Sequence, residues 1–268
     1  MAPKRAPPPQ EASLSTLVIG DFVVTLLWLV ASSCFAEASE HLAKLTGLEE
    51  LLLAWHIFIL ITALTLFGPV CNAFGGALFN PLNNLALLGS GKSSVAAQVV
   101  RMCAQLAGAM TGSIAAKVYL PEFLHGKFHT LSGGIKDGVA FELGFAAEGI
   151  MSLVLNYVFL VSLDAKSRLL TLWTPMLSTV ILSWVGFYFT GPSLNPFVSF
   201  SWHMHYKSQD DLQHYLVFWS APILGALFAG WIHYLRHMQP VVRKGRRPSR
   251  AAIQARGQWT QQQHSKEL

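Results

Sequence analysis

Two stretches decide the fold: Gly75-Gly76-Ala77-Leu78-Phe79-Asn80-Pro81-Leu82 and Gly191-Pro192-Ser193-Leu194-Asn195-Pro196-Phe197-Val198. Each sets an Asn-Pro pair behind small residues, in a chain that is otherwise strongly apolar. Asn caps a helix by accepting from orphan backbone N–H groups, and Pro at the first helical position needs no donor, so each pair starts a helix. The first helix has room only for about residues 80–88 before Gly89-Ser90-Gly91 stops it. Nine residues rise about 13 Å, less than half of a hydrocarbon core about 30 Å thick. The second reaches about His203. Helices that begin inside a membrane without crossing it must lodge against others, and two of them point to a channel or transporter.

The surroundings are membrane-like. Of 268 residues, 52% are hydrophobic and 12% charged, about half the charged share of a soluble domain. Apolar runs at residues 14–36, 51–71, 95–116, 139–163, 169–189 and 212–235 are each long enough to span. Residues 37–50 and 117–138 read as loops. The chain divides into a Pro-rich segment over 1–13, a channel domain over 14–237 and a basic tail over 238–268. The excess of positive charge sits in that tail, which fits anionic lipid and the positive-inside rule and not nucleic acid. Cys34, Cys71 and Cys103 lie in or beside apolar runs, without metal-type spacing, and read as packing residues.

The domain is a repeat. A span with an acid, a second span, a half-helix and a third span occur twice, over about 14–116 and 139–235, with Asp21 and Glu148 as the acids. Three spans per unit is an odd number, so the second unit enters the membrane from the opposite face and the repeat is inverted. The expected architecture is all-α: six transmembrane helices plus two half-helices whose N-terminal ends meet near the midplane. With the N-terminus in the cytosol, fourteen basic residues lie inside, Arg101 counted among them, and five outside. That balance places both termini in the cytosol.

Two helix N-termini facing each other create a positive potential that opposes cations and protons. Asn80 and Asn195 restrain nearby backbone through their side-chain oxygens and offer NH₂ groups to a solute. Asp21 and Glu148 serve as buried acceptors for the loop before each half-helix. His203, His205 and His214 read as loop residues, since no carboxylate or Cys completes a metal set at suitable spacing. Neither a nucleophile-base pair nor a cofactor motif is present, so an enzyme reading has no support.

The residues Gly20-Asp21, Gly75 to Pro81, Ala147-Glu148-Gly149, Gly191 to Pro196 and Tyr215 to Gly225 resemble the aquaporins, the major intrinsic proteins, and specifically the small basic intrinsic proteins of plants. The resemblance implies a passive pore for water or small neutral solutes, a homotetramer and an endoplasmic reticulum membrane. It identifies Asn80, Pro81, Leu82, Asn195, Pro196 and Phe197 as the pore motif. The third residues depart from the usual Ala and add bulk where the half-helix ends meet. The outer constriction falls at Leu60, Ser183, Pro192 and Val198, the last where family water channels generally carry Arg. An apolar constriction with one hydroxyl leaves a second reading open: a closed or very slow pore acting as a membrane scaffold, its basic tail binding lipid or partners.

Overall fold

The computed structural model describes residues 12–191, 193–207 and 210–238, apart from the side chains of Arg168 and Met238. The expectations for residues 1–11, for Pro192 and for the tail from residue 239 onward lie outside the described residues. The chain forms one compact unit through His233 and a second from Tyr234, described only as the end of its last helix.

Among the described residues ten α-helices are formed: α1 Leu14–Ser33, α2 Phe35–Thr46, α3 Leu52–Ala73, α4 Pro81–Gly89, α5 Val95–Tyr119, α6 Phe141–Leu163, α7 Arg168–Gly186, α8 Pro196–Tyr206, α9 Asp211–Tyr215 and α10 Ala221–Met238. A single π-turn, Leu216–Ser220, joins α9 to α10. Among the described residues six helical segments are long and apolar enough to cross a membrane, whereas α4 and α8, with 9 and 11 residues, are too short to do so.

One expectation fails: residues 37–50 are mostly helix. After Cys34 the chain continues as α2, because Ala, Glu, Leu and Lys are good helix formers. It ends at Gly47, whose left-handed backbone (φ 67°) supplies the C-terminal cap. Ser39 on α2 meets His56 Nδ1 on α3 at 3.2 Å. The central loop also carries a 3₁₀ segment, Glu122–Ser132, whose buried Phe128 packs on Trp202 of α8.

Small residues set how closely the spans approach, as expected in lipid, where close backbone packing substitutes for a hydrophobic driving force. On α5, a methyl group at Gly108 would lie 2.4 Å from the Phe22 carbonyl oxygen of α1, and one at Gly112 would lie 2.7 Å from Leu29 Cβ. On α10, a methyl group at Gly225 would lie 2.2 Å from the Gly149 carbonyl oxygen of α6. The same device thus joins first to third span in both repeats. Beyond the half-helices, Lys92 Nζ donates to Asp164 Oδ1 (2.6 Å) and His233 Nε2 lies 2.7 Å from Asp164 Oδ2. Partial burial pushes the Asp164 carboxyl up, but the bonds from Lys92 and His233 outweigh it and hold it below the usual aspartate range.

Replacing either crossing glycine should therefore destabilise the fold. Gly108→Val or Gly225→Val, by overpacking against backbone that cannot yield, should cost about 1–3 kcal/mol or more. The cost is read as a lower thermal midpoint of detergent-purified protein. Gly126→Ala, at a site with nothing within 4 Å, should leave it unchanged.

Candidate functional site

Each half-helix starts as its sequence dictates. Asn80 is extended (φ −134°) and its Oδ1 accepts from Leu82 N–H at 3.0 Å. Asn195 is extended (φ −153°) and accepts from the N–H groups of Phe197 (3.1 Å) and Val198 (3.4 Å). Pro81 and Pro196 occupy the first helical positions, where no N–H is needed.

The NH₂ groups bind across the pair of loops. Asn80 Nδ2 donates to the Leu194 carbonyl at 2.7 Å, and Asn195 Nδ2 donates to the Phe79 carbonyl at 2.7 Å. The two loops are thereby cross-tied, each Asn holding the carbonyl just before the other. One amide hydrogen of each Asn is committed, and one remains. Leu194 adopts a left-handed backbone (φ 49°), a conformation that disfavours a side chain and persists where its surroundings over-determine it. Its side chain is buried against Met151 and Leu155 of α6.

The buried acids differ. Asp21, wholly buried, accepts from Leu78 N–H at 2.7 Å, in the loop before Asn80. It also forms a two-pronged ion pair with Arg101 of α5, Nε to Oδ2 at 2.7 Å and Nη2 to Oδ1 at 2.9 Å. Arg101 reaches the Gly76 carbonyl as well (3.3 Å). Gln105 donates to Asp21 Oδ2 (3.2 Å) and to Asn84 Oδ1 (2.9 Å), and Asn84 donates to Gln98 Oε1 (2.6 Å). Glu148 instead takes the Thr190 hydroxyl at 2.5 Å. Arg101 is therefore a buried partner of the first loop and not a surface charge, which removes it from the fourteen basic residues behind the expected orientation.

Arg101 and Gln105 went unread as site residues, although an ionisable residue inside an apolar span, one turn from an amide, is itself a signal. The histidines also move: His203 and His214 are buried in α8 and α9 and stack with ring centroids 3.9 Å apart, with His203 Nε2 2.9 Å from Asp211 Oδ1. They are helix residues, not loop residues. Cys103, read as a packing residue, is exposed on α5.

Leu82 is fully buried and Phe197 is 8% exposed, its ring 5.7 Å from that of Trp219. The added bulk of the third residues is thus taken up in the packing beside the half-helices. Leu60 on α3, Ser183 on α7 and Val198 on α8 come from three elements, and each is half-buried. α3 and α7 touch through Thr65 Oγ1 and Met176 Sδ (3.4 Å).

Breaking the buried ion pair from one side leaves a charge without a partner, which costs about 3–5 kcal/mol. Arg101→Ala should lower the thermal midpoint in detergent by more than Arg101→Gln combined with Asp21→Asn. The double variant buries no charge and keeps a side-chain oxygen to accept from Leu78. A double variant no more stable than Arg101→Ala would refute this account of the pair.

Comparison with known proteins agrees with this geometry. The family model described as major intrinsic protein matches residues 10–233. Among curated relatives, "Aquaporin SIP1-1" of Zea mays is 32% identical over 230 residues, covering 82% of this chain and 91% of that protein. "Probable aquaporin SIP1-2" of Arabidopsis thaliana is 30% identical over 223 residues, covering 80% and 90%. Among solved structures, the aquaglyceroporin from Plasmodium falciparum superposes with a TM-score of 0.65 at 20% identity, over 86% of this chain and 98% of that one. With two cross-tied half-helices inside an inverted repeat of six spans, the chain belongs to the major intrinsic protein family.

Proposed function

We propose that the chain is a passive pore for water or small neutral solutes, with its narrowest polar point at Asn80 and Asn195. The cross-tie carries this reading. It fixes two helix N-termini head to head, each with about half a positive charge, and leaves one N–H on each Asn to polarise a solute oxygen. A water that accepts from both cannot at the same time pass a proton along a file, and the two positive ends oppose cations.

Selectivity falls to Leu60, Ser183, Pro192 and Val198. With Val198 in place of a cation, this constriction lacks a fixed charge and a fork of donors, and Ser183 supplies its one hydroxyl. Such a lining suits a slow or weakly discriminating pore. The packing of Phe197 against Trp219 argues against that ring as a plug, which supports flux over the scaffold reading. Homotetramer assembly, lipid contacts of the basic tail, an endoplasmic reticulum membrane and cytosolic termini complete the proposal.

Stopped-flow shrinkage of proteoliposomes tests it. Water, glycerol or peroxide should cross faster than in empty vesicles, and Val198→Arg should slow glycerol more than water by narrowing and charging the constriction. Rates equal to those of empty vesicles for all three solutes, with folded and inserted protein, would leave the scaffold.

A further inference from the structure

A cavity lies against the half-helix starts Pro81 and Pro196. Its volume is about 320 Å³, and Pro81, Pro196 and Phe197 line its inner end. Leu106 of α5 and Ile223 of α10 both line it, and its lining surface carries no nitrogen or oxygen. No residue of α3 or α7, which bear Leu60 and Ser183, contributes to it. The cavity therefore draws on other helices than the two that bear Leu60 and Ser183, and it meets α8 through Pro196 and Phe197 and not through Val198.

Its mouth is on the outer surface of the bundle. Val99, 45% exposed, and Cys103, also exposed, stand one turn apart on α5 and line the cavity. They lie four and eight residues into a helix that starts at Val95, about 6–12 Å along its axis. That depth is within hydrocarbon, short of the midplane where the half-helices meet. Water has no partner there, since a buried water needs two to four polar groups. A helix about 10 Å across is too wide to enter a recess of this volume. What surrounds the mouth at that depth is lipid tail. An empty recess forfeits dispersion contacts that a flexible chain can make, and Met102 on the same wall can adapt its shape to one.

We propose that this cleft is a binding site for the acyl chain of a bilayer phospholipid, which enters beside Val99 and Cys103 and ends against Pro196 and Phe197. The occupant packs on the back of the second half-helix start, so the residue that departs from the family's usual Ala becomes the floor of a lipid site. The proposal is independent of which solute the pore carries.

The test uses the full chain in phosphatidylcholine vesicles whose acyl chains carry a photoactivatable diazirine, with adducts located by mass spectrometry of proteolytic peptides. Adducts are expected on Phe197 and Trp219, which line the cleft, besides those on freely exposed Phe228. Leu106→Trp or Ile223→Phe, which fill the cleft from two different helices, should each lower the inner adducts about tenfold by occupying the chain's volume while leaving that on Phe228 unchanged. Adducts on Phe228 with none on Phe197 or Trp219 in the unsubstituted chain would overturn the proposal. So would oxidative cross-linking of Cys103 between subunits, which would assign the mouth to a second copy.

Discussion

Two hydrogen bonds hold the centre of this protein together: the amide of Asn80 to the Leu194 carbonyl, and the amide of Asn195 to the Phe79 carbonyl. A helix start in hydrocarbon exposes free N–H groups, and the loop leading to it exposes carbonyls, with no water to satisfy either. Each Asn answers both needs at once. Its oxygen caps its own helix, and its nitrogen serves the loop of the other. The two irregular segments are therefore tolerable only as a pair, which is why the chain must fold its second repeat inverted upon the first.

The support beneath that pair is unequal. On the first side the Asp21 carboxylate takes the Arg101 guanidinium and is joined separately through Gln105 to Asn84 and Gln98, a buried network with three carboxamides. On the second, Glu148 meets the Thr190 hydroxyl, and the loop is held by apolar burial of Leu194. An ion pair in a dry site is sensitive to loss of either partner, whereas apolar packing yields gradually. The second loop also carries the strained backbone of Leu194. Of the two half-helix starts, the second is the one whose position depends on what packs around it.

How far the chain could be read in advance follows from the range of each interaction. Asn80-Pro81 and Asn195-Pro196 were legible because capping is local: the residue and its bond partner are neighbours in sequence. Asp21 was legible because an acid in an apolar span has few places to go. The bond from Leu78 to Asp21 then followed from the need to satisfy a loop. Arg101 was misplaced because a count of basic residues assigns charge by sequence position, while its partner stands 80 residues away. The helix α2 was hidden by its own polarity, since its exposed face resembles a loop in composition. The direction of the Phe197 ring depends on Trp219, brought to it by folding alone.

That last point changes where the departures of this chain from its family act. Leu82 and Phe197 looked like changes to the passage, but both are buried beside the half-helices. A larger third residue at a helix start must find volume on the side away from the two carbonyls that its Asn neighbour ties. On that side stand α5 and α10, each already held close to its partner span by glycine. The ring of Phe197 settles against Trp219, and a recess remains beside it, facing the membrane. The residues after the two prolines therefore shape the outer packing of the half-helices. In the proposed pore, discrimination between solutes is then left to Val198 and the positions assigned with it to the constriction.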